Sequence, residues 1–248
     1  MIKKNILLLA FLGVAAVSAS AQGYTRLQLN FAPQTMEIKD VPSEYEDEDF
    51  EVGWDGVKLS TPGFGLGFIK GIQLSKTTPL FLELGANANF LFKKADFTED
   101  EEEDEDYKVT AKYSFLNLAI PVNVAYRINV SDAFSIQPFA GLNMKFNLLG
   151  KCKYEVEEDS FSFESEENFF SDKYSVDEYG DSDGDSYFGG DKAKRFQLGL
   201  NVGCGFNISK LYIGYTFQPD LTNYAEIKAG ETYKVKTRSN VITIGLNF

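Results

Sequence analysis

Carboxylates are the most abundant chemistry-bearing groups in this chain, and their spacing limits what they can do. Asp181-Ser182-Asp183-Gly184-Asp185 places three carboxylates at alternate positions, a pattern suited to weak capture of a hard divalent cation. The glycine comes too early for a twelve-residue calcium loop, and no Glu stands at the position that would close one. Asp181, Asp183 and Asp185 are therefore a weak Ca2+ candidate and nothing stronger. Arg26, Glu83, Lys145 and Arg195 are charges of another kind, set singly within alternating segments. They read as interior charges of a closed structure, with Arg26 and Glu83 at one end of it and placed to form an ion pair.

Other chemistries lose their reagents. The chain contains no His, so a Ser or water nucleophile lacks its ordinary base near neutral pH, and zinc lacks its commonest catalytic ligand. Carboxylate pairs for glycoside cleavage need a rigid cleft, whereas these acids fall in runs. Cys152 and Cys204 lie in a compartment that permits disulfides. Their expected heights on neighbouring strands differ by about 30 Å, too far for a bridge. The reading is non-enzymatic, with no catalytic residue and no cofactor.

The acidic runs point to the elements that carry them. Residues 37–51, 99–106 and 155–191 hold 30 of the 37 acidic residues against two basic ones, Lys39 and Lys173, a net −28. Outside these runs and the first 21 residues, 20 basic residues face 7 acidic ones. The chain is thus a basic body with an acidic crown. Such runs self-repel and lack the apolar content of a core. They also disfavour nucleic acid, because a surface of that sign repels phosphate.

Between the runs, hydropathy alternates with period two. Val241 to Phe248 sets Ile242, Ile244, Leu246 and Phe248 on one face and Val241, Thr243, Gly245 and Asn247 on the other. An apolar row facing lipid and a small or polar row facing a lumen is the pattern of a transmembrane barrel strand. Seven further strands read similarly: 24–31, about 57–74, 80–94, about 108–128, 134–151, 196–208 and 211–218. The second shows a phase slip at Pro62-Gly63 that predicts a bulge. The connections 75–79, 129–133 and 209–210 are short, whereas 32–55, 95–107, 152–193 and 219–236 are long. Short periplasmic turns and long extracellular loops are the asymmetry of outer-membrane barrels.

The expected fold is all-β: a closed antiparallel transmembrane barrel of eight strands over residues 22–248. Residues 1–21 read as a cleavable signal peptide, with Lys3 and Lys4, an apolar core from Ile6 to Val17, and Ala19-Ser20-Ala21 before the cut. Phe248 reads as the C-terminal signal for the barrel-assembly machinery. Phe115-Leu116-Asn117-Leu118-Ala119-Ile120-Pro121-Val122, Gln137-Pro138-Phe139-Ala140-Gly141 and Leu211-Tyr212-Ile213-Gly214-Tyr215 with Leu221-Thr222 resemble the PorT-like outer-membrane β-barrel family. That resemblance implies a small barrel in the outer membrane and carries over no catalytic site.

Functionally, the sequence predicts a structural or surface-interaction role. The partners expected are outer-membrane lipid and glycolipid. A protein or glycan is further expected at loop 152–193, where Phe161, Phe163, Phe169, Phe170, Tyr174, Tyr179, Tyr187 and Phe188 interleave with the acids. Phe161-Ser162-Phe163 alternates as if strands five and six continued as a hairpin beyond the membrane. The alternatives are an accessory subunit of a larger outer-membrane complex and a narrow solute channel. Eight strands enclose an interior that side chains can fill, which disfavours a wide pore.

Overall fold

The computed structural model describes residues 23–39, 58–99, 107–158, 161–170, 174–176, 193–229 and 231–248. Its strands in chain order are β1 (Gly23–Phe31), β2 (Gln34–Lys39), β3 (Lys58–Thr61), β4 (Gly63–Gln73), β5 (Leu80–Glu99), β6 (Tyr107–Tyr126) and β7 (Ile128–Asn129). There follow β8 (Phe134–Glu158), β9 (Phe161–Asn168), β10 (Tyr174–Val176), β11 (Phe196–Ile208), β12 (Leu211–Pro219), β13 (Ala225–Ala229) and β14 (Glu231–Asn247). Eight of them close an antiparallel ring in the order β1-β4-β5-β6-β8-β11-β12-β14, and β14 pairs back onto β1. Closure leaves no sheet edge within the ring, as a strand crossing lipid requires. The seam is completed at the chain end, where Phe248 and Thr25 exchange backbone hydrogen bonds of 2.8 and 3.0 Å.

Alternation builds the wall as the sequence predicts. Leu29, Leu66, Val202 and Ile244 point outward and are more than half exposed, forming a belt that lipid covers in a barrel of this kind. Their neighbours Gln28, Asn30, Asn87, Asn143 and Asn201 point inward and are buried. The turns between strands are short at one end of the ring. At the tightest, Ser209 takes φ 55°, the left-handed backbone that a two-residue hairpin favours.

Three expectations change at the long-loop end. The first wall strand continues past Phe31 to Lys39. The β1–β14 and β2–β14 pairings share one register, as do β1–β4 and β2–β3. Strand β2 therefore prolongs β1, and β3 precedes β4 in one line. The register sets Pro33 opposite Pro62, where neither residue has an N–H to give the ladder. Just beyond the gap, Ala32 N–H donates to the Gly63 carbonyl at 2.7 Å. No bulge accompanies Pro62-Gly63. The bulge lies instead between β6 and β8 at Leu116/Asn117, where Leu148 is the extra residue.

The third change concerns the loop after β8. That strand runs on to Glu158, and β9 folds back along it from Phe161 to Asn168. The hairpin beyond the belt is therefore made by β8 and β9, whereas β11 begins lower, opposite Phe146. Strand β13 similarly folds onto the start of β14, which shortens the expected 219–236 connection.

These extensions share one feature: their polarity is inverted. Met36, Ile38, Leu59, Leu91, Tyr113, Phe115, Cys152 and Val235 point inward into one apolar cluster. Glu37, Lys39, Lys58, Lys112 and Lys151 lie on the outer face. Leu59 explains the apparent phase slip, since it belongs to the interior of this upper section and not to the lipid belt. The segment 1–21, the aspartates at 181–185 and the remaining long-loop runs lie outside the described residues.

Candidate functional site

The lumen is built in layers, starting from the short-turn end. Glu83 on β5 is fully buried and sits 3.1 Å from the Arg26 guanidinium on β1, so the expected ion pair is formed. Two more donors converge on the same Glu83 Oε1, with the Tyr24 hydroxyl at 2.5 Å and the Gln137 amide at 3.0 Å. Gln137 is in turn held by Arg127 through Nε and Nη2, at 3.1 and 3.0 Å. Aromatic faces complete this floor. Arg26 lies 3.6 Å from the centre of the Tyr212 ring, and Arg127 packs over Tyr24 and Phe81 at 4.5 and 4.8 Å. Desolvated cation–π contacts add to the charge pairing. Glycine makes the space: a Cβ on Gly71 would meet the Tyr24 ring at 2.3 Å, and one on Gly205 the Tyr212 ring at 2.2 Å.

Above the floor the lumen is lined by amides. Gln28, Asn30 and Asn87 bond in a cluster, Asn30 accepts from Thr243, and Asn123 accepts from Asn201. They surround a cavity of about 40 Å³, room for a few waters at about 10–15 Å³ each. Arg26 Nη1, Asn89 Oδ1 and Asn201 Oδ1 have no protein partner there, and buried polar atoms of this kind bind internal water.

A second ion pair closes the amide layer from above. Lys145 on β8 contacts Asp220 at 2.5 Å, both nearly fully buried, and Lys145 also reaches Gln34 at 3.4 Å. Thr237 donates to Asp220 and accepts from Gln197 at 2.9 Å. Lys145 was legible as an interior charge. Asp220 was not, because it follows the last alternating residues of β12 and reaches the lumen through an isolated bridge to Gly199.

The apolar cluster then caps the lumen. Phe169 and Phe170 turn inward from the end of β9, and Phe169 is tied by its N–H to the Gly150 carbonyl at 3.0 Å. Phe169 stacks on Phe115, and Phe170 meets Tyr224 edge-on. These two phenylalanines are thus core residues and not part of an exposed recognition surface. Arg195 is corrected as well: it is exposed at the rim over Phe170, 4.7 Å from the ring centre. Cys152 is buried in the same cap, and burial pushes its thiol up to about 12. Both cysteines are free.

Outside the cap, part of the acidic crown is structured. On the outer face of β5, β6, β8 and β9, Lys94 pairs with Asp96, Lys112 with Glu155, Lys151 with Glu166, and Lys153 with both Glu155 and Glu164. Hydrogen bonds from Lys112 and then Lys153 hold the Glu155 carboxyl below its ordinary range. Acids that read as one unbroken negative run therefore alternate across strands with lysines from neighbouring segments. Among the described residues no cluster of His, Cys, Asp and Glu is arranged to hold a metal ion. Of the three buried carboxylates among the described residues, Glu83 and Asp220 are each neutralised in separate layers of the lumen, and Glu167 lies in the upper section on β9, opposite Cys152.

No curated protein matches the chain in sequence. In fold it is similar to the attachment invasion locus protein Ail of Yersinia pestis, at 12% identity over 91% of this chain and 99% of that one, with a TM-score of 0.34. It is also similar to Neisserial surface protein A, at 10% identity over 92% and 100% of the two chains and a TM-score of 0.35. An outer membrane channel of Pseudomonas putida F1 is similar at 12% identity over 93% and 97%, with a TM-score of 0.29. The family model described as outer membrane protein beta-barrel domain matches residues 6–248.

Proposed function

This chain belongs to the outer membrane protein beta-barrel domain family, and we propose that it acts there as a non-enzymatic display barrel, presenting its long-loop end to a partner outside the cell. One observation carries this reading: the lumen is blocked by a charged floor and an apolar cap, while the strands continue outward as a folded, charge-laced platform. A pathway for solute is not what such an interior favours, and buried, neutralised carboxylates without histidine do not favour catalysis. The motifs at 115–122, 137–141 and 211–215 support a PorT-like relationship within the family. Residues 1–21 would serve export, and Phe248 recognition by the assembly machinery.

The contact surface proposed is loop 152–193, less the buried cap residues Cys152, Phe169, Phe170 and Ala193. The test is a tagged pull-down from native outer membranes in mild detergent, run on the full chain and on a version lacking residues 177–192. A stoichiometric partner lost with the loop is the expected result. A partner that persists without residues 177–192 would move the interface to the β8–β9 hairpin or to the barrel wall, the latter as for a subunit of a larger complex.

A further inference from the structure

Two sides of the outer wall differ in charge just beyond the lipid belt. On the β5-β6-β8-β9 side four lysines meet four carboxylates. On the opposite side, where β14, β2 and β3 lie together, the balance fails. Among the described residues Lys39, Lys58, Lys236 and Arg238 face outward there, and Glu37 is the carboxylate among them; the acids of the 40–57 connection lie outside the described residues. Glu37 contacts Lys39 at 2.7 Å and Lys58 at 3.8 Å, and Lys236 donates to the Leu221 carbonyl at 2.7 Å. Lys234, the next cation up β14, lies opposite Glu226 on β13.

Height gives this patch its meaning. A barrel strand needs about 9–11 residues to cross the hydrocarbon. Counted from the short-turn end, that places the upper boundary near residue 34 on the first wall strand, near 63 on the second and near 237 on β14. Leu27, Leu29, Phe64, Leu66, Ile242 and Ile244 lie below that line, exposed and apolar. Arg238 and Lys236 stand at it, and Lys39 and Lys58 stand five residues above it on their strands. Lipid headgroups occupy that level, so a cation excess there meets a headgroup before it meets a soluble partner. Multiple fixed cations favour phosphate, and their attraction falls off within a Debye length of the membrane surface.

We infer that the β14-β2-β3 face is a docking site for the phosphate groups of an outer-leaflet glycolipid, whose acyl chains lie along the apolar strip beneath. The site is independent of the loop: a barrel that holds glycolipid here but captures no loop partner keeps this inference and loses the other.

The test uses the full chain purified in mild detergent. Native mass spectrometry and titration measure retention of a diphosphorylated lipid A-type glycolipid and of its dephosphorylated counterpart. Three proteins are compared: wild type, Lys39→Gln/Lys58→Gln/Lys236→Gln/Arg238→Gln, and the opposite-face control Lys112→Gln/Lys151→Gln/Lys153→Gln. The phosphorylated lipid should bind the wild type and the control alike, and the patch variant about tenfold or more weakly. The dephosphorylated lipid should not distinguish the three. Equal weakening in patch variant and control would overturn the inference, since it would reflect net charge alone. Equal affinity of wild type for both lipids would overturn it as well. Heat-shifted mobility on gels confirms that each variant is folded.

Discussion

The lower and upper halves of this barrel use the same strands with opposite polarity. Below residue 33, Leu27, Leu29 and Phe31 face out and Arg26, Gln28 and Asn30 face in. Above it, Met36 and Ile38 face in, while Glu37 and Lys39 face out. The backbone register passes through the change unbroken. What changes is the surrounding medium. In lipid the apolar row belongs outside and the amides must satisfy one another within; in water the apolar row collapses inward, as in any soluble core. The lesson is that period two fixes the wall, whereas the phase of hydropathy within that period reports which solvent the wall faces.

The largest loss is expected at the floor. Glu83→Ala leaves Arg26 buried without its carboxylate, and losing one partner of a buried pair costs about 3–5 kcal/mol. Urea unfolding in liposomes should show that loss, with part of it recovered in Glu83→Ala/Arg26→Met. An unchanged midpoint would mean that the pair holds nothing together. In the upper half the equivalent test is apolar. Leu91→Ala removes a side chain buried in the cap and should cost about 3 kcal/mol by the same assay; a loss below about 0.5 kcal/mol would show that the cap is not packed as a core.

Outer-face substitutions sharpen the contrast at smaller effect. Leu29→Lys places a cation in the lipid belt and should destabilise by about 2 kcal/mol or more. Thr35→Lys, three pleats further up the same wall strand, should be within about 0.5 kcal/mol of wild type. Similar penalties at both sites would place both in lipid. The weakest effect expected is a pH response of the platform. Glu155 is held below its ordinary carboxyl value of 4.5, so its contribution is complete above that value and declines as the pH falls below it. Amide exchange along β8 and β9 should quicken selectively under those conditions, and Lys112→Ala should remove much of the response. Uniform quickening of lower-wall amides would point to global loosening instead.

Much of the wall was legible in the sequence because lipid enforces a simple rule over ten residues per strand. The row Phe196, Leu198, Leu200, Val202 against Gln197, Gly199, Asn201, Gly203 admits one reading. The pair Arg26–Glu83 was legible for a related reason: charges in a lumen row need partners, and both stood at the same end. The upper section was not, because inversion mimics an ending. The apolar parity shifts from Phe31 to Met36 and from Leu59 to Phe64, and each shift resembles a strand end or a bulge when lipid is assumed throughout. On β8 the shift at Leu148–Leu149 is a real bulge, and sequence alone does not separate the two causes. The lysines that neutralise Glu155, Glu164 and Glu166 were hidden differently. Lys112, Lys151 and Lys153 lie outside the acidic run or on its edge in sequence, and only pairing of β6, β8 and β9 brings them opposite.

The inversion itself is tested by spin labels at Leu29→Cys and Glu37→Cys, in reconstituted bilayers and a background with Cys152 and Cys204 replaced by Ala. Oxygen concentrates in hydrocarbon and a nickel chelate stays in water, so their relative collision rates report the medium at each site. Oxygen dominance is expected at 29 and nickel dominance at 37, with the crossover between them. Oxygen dominance at both positions would contradict the inversion, since the upper strands would then lie in lipid and the apolar cap would not be a water-facing core.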